Sequence, residues 1–491
     1  MNINCTLPRY VSISAALLAC SSTAIGQVTA PLNFSAGPVI QLPFNARPTD
    51  VAVADFNSDG RPDLAITEFG LDTLAIFKQQ PGGTFPLRPD SRFRYPNGPV
   101  SVVALPLIYG HAGSPAPPAD ALAVFTGVNV YFLDNFHNAQ GTLTPRQSSQ
   151  FYTSGYTFPL RKARLFAAKM DSDQFVDLAV FLDTSPYILG GMTLSGSSAA
   201  PLMVRSDMTT LPNPIPALSL ASFYRPGWLD GIVPDPVLNR VYVVRNMSAP
   251  NITGRWWNSI VFGNTYPSGG VGPVSAAAGD VDGDGWPDIA AAHETSRDVV
   301  ISLLDQMLVL NQITLPLPAV VPLQVELTDL NGDNRPDVLV LATNGTLWLY
   351  RNTGLPGVAA IDPQPINLLA GPNPAFLRIA DVNNDGKPDL VVPAVGNNTV
   401  SIFYNQSTLL AVSTAQKLAV QVYPNPADTE LHIQHQGVNI SAIALLDAMG
   451  RPVRSWAASE AALAVADLPR GLYILRIMTP GGILNKRIVL R

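Results

Sequence analysis

The chain has 491 residues, 47% of them hydrophobic and only 13% charged, with a formal net charge of −6. That length exceeds one ordinary domain unless the fold is a repeat or a large barrel, and the apolar content is enough for a packed core. The 37 glycines and 45 prolines are spread along the chain, which argues for many short strands joined by turns and against a helical protein.

The first 26 residues predict an export signal. Arg9 supplies a positive charge, and Val11–Cys20 is an apolar run too short to span a bilayer. Ala24-Ile25-Gly26 then offers a small-x-small cleavage site before Gln27. A lipobox at Leu17-Leu18-Ala19-Cys20 fits less well because of Leu18. Cleavage after Gly26 removes both cysteines, Cys5 and Cys20. The mature chain is then expected to have no disulfide, thiol nucleophile or cysteine metal ligand. No later stretch of about 18 apolar residues predicts a transmembrane helix.

An acidic nonapeptide recurs downstream: DFNSDGRPD from Asp55, DVDGDGWPD from Asp280, DLNGDNRPD from Asp329 and DVNNDGKPD from Asp381. The last three lie about fifty residues apart, a repeat period. The long gap after Asp55 leaves room for three more units. SVVALPLIYGHAGSPAPPADALAVF from Ser101 keeps the flanking apolar runs and Asp120. KMDSDQFVD from Lys169 keeps Asp171, Asp173 and Asp177, while SFYRPGWLD from Ser222 keeps Gly227 and Asp230. Lys169 stands where the first carboxylate belongs, so its ammonium is expected to replace a cation and pair with Asp171 and Asp173.

In each good unit an apolar run precedes the loop, as in VAVAD (51–55) or LRIAD (377–381). A second run starts at the loop's last Asp, as in PDLAIT (62–67) and PDLVVPA (388–394). A third follows a turn: TLAIF (73–77), TLWLYRN (346–352) and TVSIFYN (399–405). A variable fourth segment leads on. This pattern predicts four-stranded propeller blades rather than a solenoid, whose units are usually roughly 20–45 residues. FSAGPVIQLPF (34–44) reads as a lone strand that completes the seventh blade and removes two open edges. The expected fold is all-β: a seven-bladed propeller over residues 27–411, a linker over 412–420 and a small sandwich over 421–491.

The nonapeptide places side-chain oxygens at positions 1, 3, 5 and 9, with a backbone carbonyl at 7. Gly60, Gly285, Asn334 and Gly386 at position 6 permit the sharp turn. These are hard oxygen ligands in a flexible loop, which suits calcium better than magnesium. The candidate ligands are Asp55, Asn57, Asp59, Arg61 and Asp63 in the first loop, and Asp280, Asp282, Asp284, Trp286 and Asp288 in the second. The third offers Asp329, Asn331, Asp333, Arg335 and Asp337, and the fourth Asp381, Asn383, Asp385, Lys387 and Asp389. Arg61, Trp286, Arg335 and Lys387 would contribute only their carbonyls. An EF-hand is excluded: position 12 is Ile66, Ala291, Val340 or Val392 instead of a bidentate Glu, and strands flank the loop.

The four loops hold 13 of the 36 acidic residues. About four calcium ions would relieve the repulsion within the acidic propeller. The pattern resembles the calcium loops of FG-GAP/VCBS-type repeats, found in the propellers of integrin α-chains and many bacterial surface proteins. The resemblance covers roughly residues 33–410.

No active site is legible. His111, His137, His293, His432 and His435 lie in no HExxH or triad context, and there is no P-loop or GxGxxG. His432 and His435 share an alternating strand, and a zinc pair there competes with a plain exposed face. Trp256-Trp257 reads as blade packing or as a sugar-stacking platform. The function expected is a secreted or cell-surface binding or adhesion module for a glycan or a protein. A polysaccharide lyase or hydrolase on the same scaffold is the alternative, and a purely structural surface protein a third reading. The acidic propeller has no basic patch for nucleic acid.

After the linker come VYPNPADTELHIQ (422–434), ISAIALLDAMGRPVRSW (440–456), DLPRGLYILRI (467–477) and GGILNKRIVLR (481–491). These strands, YPNP and the basic KRIVLR end resemble the type A C-terminal sorting domain of the type IX secretion system in Bacteroidetes. The resemblance implies export by that machinery through residues 421–491, removal of the tail, and release or attachment to surface lipopolysaccharide.

Overall fold

The structure is a computed structural model. It describes residues 31–105, 120–127, 129–134, 144–150, 164–168, 177–182, 187–197, 200–205, 209–211, 216–224, 229–246, 262–305, 308–317, 320–354, 357–407, 420–435, 440, 442–446, 452–457, 460, 462–479 and 482–491. Seven antiparallel sheets follow one another before the tail, numbered here as blades 1 to 7. Blade 1 comprises Pro48–Ala54, Asp63–Glu68, Thr73–Phe77 and Ser91–Arg94. Blade 2 runs from Ser101–Leu105 to Thr144–Gln150, and blade 3 from Arg164–Ala168 to Ala200–Arg205. Blade 4 runs from Ser219–Ala221 to Phe262–Pro267, blade 5 from Pro273–Gly279 to Leu308–Pro316, and blade 6 from Pro322–Thr328 to Ile366–Leu369. Blade 7 takes Arg378–Ala380, Asp389–Ala394 and Thr399–Asn405, and its fourth strand is Phe34–Gln41 from the start of the chain. Blade 3 departs from the four-strand expectation, because Thr209–Leu211 adds a fifth strand against its third.

The second strands are apolar without alternation for a physical reason. Asp63–Glu68, Asp288–His293, Asp337–Ala342 and Asp389–Ala394 are buried at every position. Each lies between two neighbouring blades, and the period of two divides its side chains between them. In blade 1, Leu64 and Ile66 join a cluster with Val391 and Val400 of blade 7, while Ala65 joins Val102 and Leu122 of blade 2. In blade 6, Val338 and Val340 face blade 5, and Leu339 and Leu341 face blade 7. Among the described residues the core thus lies between blades, in clusters shared by neighbouring sheets.

Closure follows the expected pairing. Phe34–Gln41 runs antiparallel to Thr399–Asn405, from Phe34 opposite Asn405 to Gln41 opposite Thr399. The register shifts between Ala36 and Val39. There Gly37 lies against Tyr404, and a Cβ on Gly37 would meet that ring at 2.9 Å. Asp50, wholly buried, adds a polar tie across the seam. Its carboxylate accepts from Arg378 of blade 7 at 2.7 Å and from the Ser101 hydroxyl of blade 2 at 2.6 Å.

The tail forms two sheets. Val420–Tyr423, Glu430–His435 and Ala462–Ala464 make one; Pro452–Trp456, Ala442–Leu446, Gly471–Thr479 and Gly482–Leu490 make the other. Leu431 and Leu463 of the first sheet share a core with Leu445, Leu475 and Ile488 of the second. Among the described residues no helix is long and apolar enough to cross a membrane.

Candidate metal centre: four acidic loops on consecutive blades

The four loops occupy blades 5, 6, 7 and 1, neighbours around the ring. Each connects the first strand of its blade to the second. The backbone is folded the same way in all four. The position-1 carboxylate accepts the position-6 N–H: Gly60 to Asp55 at 2.7 Å, Gly285 to Asp280 at 3.0 Å, Asn334 to Asp329 at 2.8 Å and Gly386 to Asp381 at 2.8 Å. The position-5 carboxylate accepts the position-7 N–H, as in Trp286 to Asp284 at 2.7 Å. Such bonds curl the loop and hold its carboxylates close together.

Position 6 has positive φ in every loop, as expected, but so does position 4: Ser58, Gly283, Gly332 and Asn384. The small or αL-tolerant residue there was a signal the sequence reading passed over. A Cβ on Gly60, Gly285 or Gly386 would meet nothing within 4 Å. Conformation, not crowding, selects glycine at these positions.

Position 9 does more than offer an oxygen. Asp63, Asp288, Asp337 and Asp389 are wholly buried. One oxygen of each accepts the position-2 N–H of its own loop: Phe56 at 3.2 Å, Val281 at 2.8 Å, Leu330 at 3.0 Å and Val382 at 2.9 Å. The other accepts an N–H just beyond the third strand or at its end: Gln79, Leu304, Asn352 or Asn405, each at 2.7–2.8 Å. In blade 4, where the rest of the acidic loop is lost, Asp230 still bonds Phe223 and Asn246 in this manner. The ninth carboxylate is therefore a brace between strands as well as a candidate ligand.

Burial and neighbouring carboxylates work against ionisation in these loops. Burial pushes Asp63, Asp288 and Asp337 up to about 7, against the pull of two N–H donors on each. Asp284 rises to about 6, first through burial and then through Asp282 and Asp280. Burial also raises Asp280, Asp329 and Asp389. A bound cation supplies the opposite charge that favours the ionised forms.

The donor set fits a hard cation best in blade 5. Asp280, Asp282 and Asp288 each bring a carboxylate oxygen within 4.8 Å of the others. Elsewhere Asn57, Asn331 and Asn383 replace the third-position carboxylate. In blades 1 and 6 the position-7 arginine also folds back: Arg61 pairs with Asp59, and Arg335 with Asp333 at 2.7 Å. Position 7 is Trp286 in blade 5, which cannot compete for the carboxylates.

The other singled-out residues fall elsewhere. Asp177 opens the second strand of blade 3, opposite Ala168. Lys169, Asp171, Asp173, Gly227, His111, His137, Trp256 and Trp257 lie outside the described residues. His293 is buried in blade 5 with Nδ1 2.8 Å from Asp298, and His432 of the tail contacts Glu430.

A second feature was not legible in the sequence. A central cavity of about 680 Å³ is lined by residues from all seven blades, at the entry ends of their first strands. Arg164 and Arg378 lie over the same Phe376 ring at 4.9 and 5.1 Å, and Arg47 lies over Phe69 at 5.6 Å. Glu294 and Glu326 also line it, and burial raises the Glu326 carboxyl.

Comparison with known proteins agrees with two of these parts. Residues 329–392, which contain the loops of blades 6 and 7, match the FG-GAP-like repeat. Residues 421–491 match the secretion system C-terminal sorting domain. That domain makes this an exported protein, secreted or at the cell surface. Integrin alpha-PS3 of Drosophila melanogaster is 32% identical over 102 residues, 18% of this chain and 9% of that protein's length. Among solved structures, BBS1N in complex with ARL6DN, soaked with lead, is similar with a TM-score of 0.47 and 14% identity, over 76% of this chain and 96% of that one. Chaetomium thermophilum Raptor gives 0.48 and 11%, over 78% of this chain and 29% of that one. The propeller assignment rests on the seven sheets themselves.

Proposed function

We propose that this protein is an exported, calcium-stabilised propeller that binds a carboxylate-bearing glycan in its central channel. Calcium holds the four loops, with Asp280, Asp282, Asp284 and Asp288 as the fullest carboxylate set. The observation that carries the binding reading is the channel itself. Its volume of about 680 Å³ suits a small ligand or a chain end, since such sites span roughly 300–1,000 Å³. Arginines suit a carboxylate because their planar fork matches it with two parallel bonds. Among the described residues no carboxylate pairs with Arg47, which stands exposed at the channel. Glu326 and the arginines on one channel also favour a second reading, cleavage of the same glycan.

The test is calorimetric titration of the mature chain with oligogalacturonate and with a neutral oligosaccharide of equal length. Binding of the acidic probe alone is expected, weakened at least tenfold by Arg47→Ala combined with Arg164→Ala. Equal binding of both probes, or of neither, would contradict the reading. Release of shorter products during the titration would favour the enzyme.

A further inference from the structure

The three side-chain amides Gln79, Asn352 and Asn405 are buried, with 4%, 0% and 0% exposure. Each lies at the end of the third strand of its blade or just beyond it, and reaches into the acidic loop of the blade behind it. Asn352 of blade 6 donates to the Val281 carbonyl of blade 5 at 2.7 Å. Asn405 of blade 7 donates to the Leu330 carbonyl of blade 6 at 2.8 Å. Gln79 of blade 1 donates to the Val382 carbonyl of blade 7 at 2.8 Å. In every case the target is position 2 of the neighbouring loop.

These contacts join end to end through the ninth-position carboxylates. The Val382 N–H donates to Asp389, which also accepts the Asn405 N–H. The Leu330 N–H donates to Asp337, which also accepts the Asn352 N–H. The Val281 N–H donates to Asp288. The Gln79 N–H bonds Asp63 of the first loop, so a line of hydrogen-bonded residues runs from blade 1 through blades 7 and 6 to blade 5, touching all four loops. It stops at blade 5, where Leu304 holds the amide's place: its N–H bonds Asp288, but it has no side-chain donor. Blade 4 behind it lacks the acidic nonapeptide, so no cation loop lies there to be coupled.

We infer that Asn352, Asn405 and Gln79 couple the four loops, so that a cation in one loop raises the affinity of its neighbours. This inference rests on the calcium reading above. The physical basis is ordering: each residue of the line is held from both sides, so a cation that fixes one loop leaves the next loop less freedom to lose. A cation that orders Asp337 fixes the Asn352 backbone. The Asn352 amide then holds the Val281 carbonyl, and the loop of blade 5 is already part-ordered when its own cation arrives. The second binding event meets less ordering entropy, which is positive cooperativity.

Trp286 at position 7 of the blade 5 loop makes this measurable. Terbium, which takes the same oxygen ligands as calcium, emits when a tryptophan beside it absorbs. The mature full-length chain is titrated with terbium, and Trp286→Phe identifies the emission from the blade 5 loop. Disabling the blade 6 loop with Asp333→Ala is expected to weaken terbium binding at blade 5 about fivefold or more, the usual lower range of coupling between sites. In an Asn352→Leu background, which installs the residue found at Leu304, the same Asp333→Ala change is expected to shift it less than twofold. Should Asn352→Leu not fold, Asn405→Leu cuts the line between blades 6 and 7. The calcium isotherm of that variant is expected to lose steepness. Terbium binding indifferent to Asp333→Ala overturns the coupling and leaves the calcium reading standing. Equal shifts with and without Asn352, or an unchanged isotherm in Asn405→Leu, overturn the role of the amides. Absence of sensitised emission at any terbium concentration overturns the calcium reading and the coupling together.

Discussion

Replacing Asp288 with alanine is expected to destabilise the propeller by roughly 2–6 kcal/mol even when calcium is chelated. The wholly buried carboxylate accepts the Val281 and Leu304 N–H groups at 2.8 Å each. Alanine leaves both donors buried without a partner, at about 1–3 kcal/mol each. That is a large share of the roughly 5–15 kcal/mol by which a domain is stable. Asp284 should behave in the opposite way. It is only partly buried, and its crowded carboxyl is pushed up to about 6 by burial, Asp282 and Asp280. In chelator, Asp284→Ala is expected to be at least as stable as the parent, because one like charge is gone. In calcium it should lose the stabilisation of one site, about 2.7 kcal/mol at 100 times the Kd. Urea unfolding of both variants, with calcium and with chelator, checks the pair. No loss for Asp288→Ala in chelator would mean that position 9 is a ligand and nothing more.

Deleting residues 31–42 is expected to convert the soluble propeller into aggregates. The deletion removes the strand Phe34–Gln41 and bares the edge of Thr399–Asn405. It also uncovers the cluster in which Ile40 and Leu42 cover Val391, Val400 and Ile402. An exposed apolar edge with unpaired N–H and C=O groups templates pairing with other chains. The buried Asp50–Arg378 bond would remain but cannot replace a strand. Light scattering after purification reads the outcome. A monomeric deletion variant with unchanged melting would show that closure contributes little.

The loops were legible because one residue type at fixed spacing determines both their geometry and their chemistry. Closure was legible because FSAGPVIQLPF had no partner nearby while TVSIFYN lacked one. The amides Gln79, Asn352 and Asn405 were not, since their acceptors lie in another blade and any carbonyl looks alike in sequence. The bracing role of Asp288 was not legible either, because a carboxylate gives no hint of which backbone donors will reach it. The channel was illegible for a similar reason. Arg47, Arg164 and Arg378 are far apart in the chain, and only the closed ring brings them to one cavity.

Calorimetric titration of calcium into the chelator-treated mature chain, with the melting temperature followed in parallel, tests the central claim most directly. Four bound ions and a melting temperature that rises with calcium and falls again on chelation are predicted. No bound ion, with melting indifferent to calcium, would contradict it.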